Sequence, residues 1–248
     1  LRSFLLLCMI AAMKKRPQLS LVLACYNEAQ IFNESVRHIV DVLKRSGFTW
    51  EIILVEDKSP DNTASLVAAY CKSNPRCRAI YHTNNRGRGK SVGDGIRAAK
   101  GAIVGYIDID CEVSPVYIPE MVAMIAANKA DVVIGKRIYR TTFSSLLREV
   151  FSLGYQWLAD RMIGTGGLDT ETGYKFFRRS KILPVLAKTR HPGWFWDTEI
   201  MVRARRAGLR ITEVSVLFLR RDDKQSTVQP LRDITDYLIS LWRFRSQL

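Results

Sequence analysis

Tyr106-Ile-Asp-Ile-Asp-Cys-Glu112 follows Ile103, Val104 and Gly105, and its reading decides the fold. A short run of β-branched and aromatic residues marks a buried strand, and the acids behind it mark the strand's exit. In extended backbone alternate side chains share a face, so Asp108, Asp110 and Glu112 would point the same way. Three such carboxylates repel one another unless a cation lies among them. Hard oxygen donors suit Mg2+ or Mn2+, which keep open positions for phosphate oxygens. A solvated acidic turn carries the same residues, so the rest of the chain has to arbitrate.

On both sides of this stretch, short β-branched runs alternate with helical periodicity. Strands are expected at 19–24, 52–55, 79–81, 103–107 and 131–135. The first helix carries Phe32, Val36, Ile39, Val40 and Leu43 at helical spacing and stops at Gly47. Ser59-Pro60-Asp61 supplies an N-cap and a first-turn proline for the second, residues 92–99 form the third, and Pro115 opens the fourth. Farther on, 146–163 reads as helical, 164–173 as a glycine-containing loop, and 198–207 as a helix capped near Asp197 and closed by Gly208. An extended 210–219 precedes a final helix with Leu231, Ile234, Leu238 and Leu241 on one stripe. Alternation of this kind implies an α/β fold, a mostly parallel central sheet flanked by helices.

The 248 residues allow one substantial core, and 13–248 is read as a single domain ending in an amphipathic helix over 230–246. Residues 1–12 are read as an upstream extension, with a short apolar membrane anchor as the alternative. No run reaches the roughly 18 apolar residues of a membrane-spanning helix. Thirty-eight Lys and Arg against 24 Asp and Glu give +14, which favours anionic partners. Five cysteines without a C-x-x-C pair imply reduced thiols. Gly89-Lys-Ser91 resembles the end of a phosphate-binding P-loop, but position 84 is Asn where that motif needs glycine. Arg86, Arg88 and Lys90 come with no nucleic-acid-binding motif, so no nucleic-acid partner is expected.

Acids recur at successive strand ends: Glu28, then Glu56 and Asp57, then Asp108 and Asp110. In open α/β sheets the crevice beyond the carboxyl ends of the strands binds ligands. Ala24-Cys-Tyr-Asn-Glu28, Val55-Glu-Asp-Lys-Ser-Pro-Asp-Asn-Thr63, Asn85-Arg-Gly-Arg-Gly-Lys90, Asp108-Ile-Asp110 and Asp169-Thr-Glu-Thr-Gly-Tyr-Lys-Phe-Phe177 lie in order along the chain. Together they resemble the family 2 glycosyltransferases of GT-A fold. Within that family the chain is most similar to the polyprenyl-phosphate branch, which includes dolichyl-phosphate mannose and glucose synthases.

The resemblance implies that Tyr26, Glu28, Val55 and Asp57 hold the base and ribose of a GDP- or UDP-sugar. It implies that Asp108, Asp110 and Glu112 hold Mg2+ or Mn2+ at the diphosphate, with Ile107 and Ile109 in the same donor site. Arg137, and Arg221 or Lys224, match basic residues near the phosphates, and Asp110, Arg137 and Asp197 are the catalytic candidates. The family's proline before the first Tyr is Ala24 here, and its late Ser-Lys is Ser226-Thr227, which leaves a phosphate-binding lysine out of register.

The implied reaction is inverting transfer of a hexose, mannose or glucose, to a dolichyl or undecaprenyl phosphate. Its expected setting is the cytoplasmic face of a membrane, on which the protein is peripheral, with a membrane partner subunit as a further option. Arg148 and Arg161 flank an aromatic helix, and Trp242 lies among arginines, which favours a lipid interface. A sugar or glycolipid hydroxyl acceptor is the alternative, with Asp197 as base. A catalytically inactive sugar-nucleotide or membrane-binding subunit is the reading outside enzymes.

Overall fold

All five runs expected as strands form them. The computed structural model of the protein describes residues 16–139, 154, 157–221 and 230–248. Strands β1 (Leu19–Cys25), β2 (Trp50–Glu56), β3 (Cys77–Tyr81), β4 (Ile103–Ile107) and β5 (Val132–Tyr139) are joined by β6 (Tyr174–Arg178) and β7 (Ile211–Phe218). The seven-stranded sheet runs β3-β2-β1-β4-β6-β5-β7. Only β6 is antiparallel to its neighbours, β4 and β5.

Helices cover both faces, which is why the central strands β1, β2 and β4 are buried almost throughout rather than alternating. On one face Leu19, Leu21, Leu23, Ile52, Leu54 and Phe176 pack with Phe32, Val36 and Ile39 of α1 (Phe32–Arg45). Val67 of α2 (Thr63–Ser73) and Met121 and Val122 of α4 (Ile118–Ala126) join that layer. On the other face Val22, Ile53, Val55, Tyr106 and Phe177 meet α3 (Arg88–Ala98), α5 (Arg179–Leu186) and α6 (Trp196–Arg206). A smaller cluster joins α6, the helical segment 157–163 and α7 (Pro230–Arg245) through Phe195, Val202, Leu241 and Phe244.

Several local expectations are corrected. The sequence of β6 was covered by a family motif and not by a strand; its inserted antiparallel pairing is a tertiary event, set by neighbours distant in sequence. Helix α2 starts at Thr63, not at Ser59-Pro60-Asp61, because Asp61 Oδ1 accepts from Thr63 N at 3.0 Å and its Oδ2 from Ala29 N at 2.9 Å. Helix α3 starts four residues before 92, through glycines that helix propensity disfavours. The reason is packing: a Cβ on Gly89 would lie 2.3 Å from Cβ of Trp196, and Lys90 N donates to Pro192 O at 2.9 Å. Pro115 opens a 3-10 turn ahead of α4. In α7, Leu241 and Phe244 are buried while Leu238 is exposed, so Leu238 leaves the stripe. The side chains of Leu231 and Ile234, residues 1–12 and residues 146–153 lie outside the described residues. No described helix is long and apolar enough to cross a membrane.

Candidate active site

The strand-end acids do meet at one edge of the sheet. Tyr26 is exposed just past β1, and Glu28 is buried with its N–H donating to Thr63 Oγ1 at 2.9 Å. Asp57 caps the glycine-rich loop ahead of α3: its oxygens accept from Arg86 N and Gly87 N, both at 2.8 Å, and Oδ1 lies 2.6 Å from His82 Nδ1. A carboxylate offers about four acceptor positions, so Asp57 retains capacity for a ligand N–H or hydroxyl. The side chains of Val55, Ile107 and Ile109 are in the core, which leaves only their backbone to face a donor.

The Asp108-Ile-Asp110 stretch departs from the strand geometry expected of it. Strand β4 ends at Ile107, and the chain turns: Cys111 N donates to Asp108 O at 3.3 Å with Cys111 at φ 56°. Asp110 Oδ1 then accepts from Glu112 N at 3.3 Å. Asp108, Asp110 and Glu112 therefore do not share a strand face. No group of three or more His, Cys, Asp or Glu among the described residues is placed to hold a metal ion. Burial, then the nearby charge of Asp110, pushes the Glu112 carboxyl above its usual range. Hard oxygens whose charges oppose one another fit a divalent cation. Arg221 closes the same loop from beyond β7: its N–H donates to Glu112 Oε1 at 3.2 Å and its Nη1 to Asp110 O at 3.5 Å. Lys224 and the Ser226-Thr227 pair lie outside the described residues.

Beneath Asp108 is a buried ionic network. Arg88 donates from Nε at 2.9 Å and from Nη2 at 2.6 Å to Asp108 Oδ1, and from Nη1 to Asp197 Oδ2. Asp197 Oδ1 accepts from Lys175 Nζ at 2.8 Å and from the hydroxyl of Tyr106. Lys175, fully buried on β6, also donates to Thr172 O. Burial would raise the Asp197 carboxyl, but Arg88 and Lys175 hold it below its usual value. Burial lowers the Lys175 ammonium against the pull of Asp197 and raises the Tyr106 phenol well above its usual value. Asp197 is in the first turn of α6 and makes no cap; it points into the protein. Glu199 accepts from Arg190 N at 3.1 Å and His191 N at 2.8 Å, which ties the loop ahead of α6 to that helix.

Arg137, near the end of β5, forms a two-pronged pair with Asp169: Nε to Oδ2 at 2.9 Å and Nη2 to Oδ1 at 2.8 Å. Its Nη2 also reaches Glu171 Oε2 at 3.3 Å. The sequence reading missed Arg88, Tyr106 and Lys175 as site residues. A signal for Lys175 was present, since a lysine between Tyr174 and Phe176 in an apolar run has to find a buried anion.

Comparison with known proteins bears on the family and the fold. The chain is 30% identical over 222 residues to glycosyltransferase AglD of Haloferax volcanii, covering 88% of this chain and 35% of that relative, so it spans about a third of the latter's length. It is 27% identical over 255 residues to the dolichyl-phosphate beta-glucosyltransferase of Dictyostelium discoideum, covering 92% of this chain and 77% of the relative. Glucosyl-3-phosphoglycerate synthase from Mycobacterium tuberculosis, crystallised with Mn2+, UDP and glucosyl-3-phosphoglycerate, superposes with a TM-score of 0.67 at 21% identity over 95% of this chain and 81% of that one. S. aureus TarS 1-349, in complex with UDP-GlcNAc, gives 0.58 at 17% identity over 90% and 65%. The fold is thus the GT-A fold of these neighbours, as the resemblance implied. Residues 20–183 match the family model described as glycosyl transferase family 2, and the chain belongs to that family.

Proposed function

We propose that the protein transfers one hexose, glucose or mannose, from a GDP- or UDP-sugar to a polyprenyl phosphate of the dolichyl or undecaprenyl type, with inversion. One observation carries the choice of acceptor: Asp197, the candidate base for a hydroxyl acceptor, is shut off from solvent and enclosed by Arg88, Lys175 and Tyr106. A carboxylate held below its usual pKa by two cations is a poor proton acceptor. A phosphate acceptor is already an anion and needs no base. Relatives named dolichyl-phosphate beta-glucosyltransferases, spanned to 72–77% of their length, support the same reading.

In this reading Tyr26, Glu28, the backbone of Val55 and Asp57 hold the nucleoside. Asp108, Asp110 and Glu112, which the turn after β4 does not gather into a ready ligand set, would hold Mg2+ or Mn2+ together with the diphosphate oxygens, and the cation would neutralise charge there. Arg137, and Arg221 or Lys224, are assigned to the phosphates, where a cation would stabilise the charge that develops as the sugar leaves. A phosphate oxygen of the acceptor forms the new bond at the anomeric carbon, the bond to the nucleoside diphosphate breaks, and that group departs as an anion. Asp110 and Arg137 act on the leaving group, and Asp197 positions.

The acceptor's hydrocarbon keeps the reaction at a membrane surface, on its cytoplasmic face, where the protein is peripheral, with a membrane partner subunit as a further option. Exposed Trp157, Leu238, Ile239 and Trp242, with Arg161, Arg243 and Arg245 nearby in sequence, suit that surface. Flotation of the protein alone with anionic liposomes checks this; failure to float without another protein assigns membrane contact to a partner.

The decisive assay follows label from UDP-glucose and GDP-mannose into dolichyl and undecaprenyl phosphate, with Mn2+, with Mg2+ and with EDTA. Metal-dependent label in the lipid fraction is the expected result. Label transferred only to a soluble or glycolipid hydroxyl overturns the acceptor, and full transfer in EDTA overturns the metal.

A further inference from the structure

One guanidinium serves two carboxylates that the sequence places 89 residues apart. Arg88 uses all three of its nitrogens: Nε and Nη2 both donate to Asp108 Oδ1, and Nη1 donates to Asp197 Oδ2. Its planar face packs 5.6 Å from the ring of buried Tyr106 and 5.1 Å from that of exposed Trp194. The other oxygen of Asp108 lies against Gly173, where a Cβ would be 1.8 Å from Oδ2. The carboxylate of Asp108 is thereby clamped, by Arg88 on one side and by backbone on the other.

Asp197 cannot touch a donor from its buried position, yet it fixes Arg88. It is fixed in turn by Lys175 at 2.8 Å and by Tyr106. The charges alternate from β6 through α6 and α3 to the exit of β4: Lys175, Asp197, Arg88, Asp108. A lysine in place of Arg88 would present a compact point charge, without the planar fork that lets one side chain bond two carboxylates at once.

We infer that Arg88 is a positioning residue that couples Asp197 to Asp108, so that the buried acid of α6 sets the orientation of the donor-side carboxylate. This rests on the placing of Asp108 beside the metal and diphosphate in the proposed function. Asp197 then acts on donor binding through Arg88, and its role does not involve taking a proton from the acceptor. Residues that orient a ligand-holding group through hydrogen bonds change metal affinity by about 10- to 100-fold when altered.

The test is Mn2+ binding to the full chain, read by the electron paramagnetic resonance of free Mn2+ at saturating UDP or GDP, with no acceptor and no turnover. Arg88→Lys and Asp197→Asn are each expected to raise the Mn2+ dissociation constant about 10- to 100-fold with the binding stoichiometry unchanged. Because both act on one linkage, the double variant is expected to be no worse than about the weaker-binding single variant. A merely structural role would lower the stoichiometry or the melting temperature and leave the constant of the folded fraction where it was. If Arg88→Lys fails to fold, Asp197→Asn alone decides.

An Asp197→Asn constant within about twofold of wild type, or single effects that multiply in the double variant, overturns the coupling. Wild-type protein that binds no Mn2+ with either nucleotide overturns it as well. Failure of lipid transfer alongside the expected Mn2+ shifts removes the acceptor assignment and leaves the coupling standing; lipid transfer without those shifts does the reverse.

Discussion

Lys175 of β6 and Asp197 of α6 form a 2.8 Å ion pair in which both side chains are shut off from solvent. Burying such a pair is costly, and here the hydroxyl of Tyr106, the guanidinium of Arg88 and the carbonyl of Thr172 complete its hydrogen bonds. It also joins the antiparallel strand β6 to helix α6.

Removing one partner leaves the other charged and buried. Lys175→Met is expected to destabilise the fold by about 3–5 kcal/mol, seen as a lower urea midpoint. A midpoint equal to wild type would mean that Arg88 and Tyr106 suffice to hold Asp197.

Asp131 gives a pH-dependent test far from the active site. Bonds from Arg210, then burial working the other way, leave its pKa lowered from 3.8 to about 2. A depressed carboxyl contributes stability above its unfolded value, and that contribution is lost as pH falls from about 3.8 to about 2. Arg210 is half-exposed, so solvent screening keeps that contribution small. Asp131→Asn is expected to melt earlier than wild type at pH 7 and together with it near pH 2; equal melting at both would remove the assigned pair.

Arg137 is assigned to the departing diphosphate. Arg137→Met is expected to lower kcat by about 100-fold in the lipid-transfer assay, the scale of losing one preorganised charge stabiliser. Loss confined to KM would place Arg137 in ground-state binding instead.

Gly173 leaves no room for a side chain: a Cβ there would meet Asp108 Oδ2 at 1.8 Å and Arg88 Nη2 at 2.6 Å. Gly173→Ala is expected to displace the Asp108 carboxylate and lower kcat/KM by about 100-fold, as a misplacement of about 1 Å in a catalytic constellation does. An active Gly173→Ala enzyme would show that Asp108 can be reoriented freely.

The first five strands were legible because each carries a short β-branched or apolar run bounded by turn residues, buried on both faces except in the edge strand β3. The line of acids at their ends was legible for a related reason. Strands that run parallel bring their carboxyl ends to the same edge, so Glu28, Asp57 and Asp108 could be placed together from order alone. Strand β6 was not legible in that way. Tyr-Lys-Phe-Phe breaks the apolar run with a charge, and only pairing between β4 and β5 explains the five-residue strand.

By itself the sequence determined the α/β class and the edge of the sheet at which Glu28, Asp57 and Asp108 collect. Local periodicity and strand polarity are properties of contiguous residues and can be read without contacts. Which charge faces which was decided only by tertiary structure. The turn after Ile107 separates Asp108, Asp110 and Glu112, which a continued strand would have aligned. Asp197 passed from candidate base to buried anchor because Arg88, Tyr106 and Lys175 converge on it from three other elements. A carboxylate's chemistry depends on the donors and the water around it, and those neighbours lie 22 to 109 residues away along the chain.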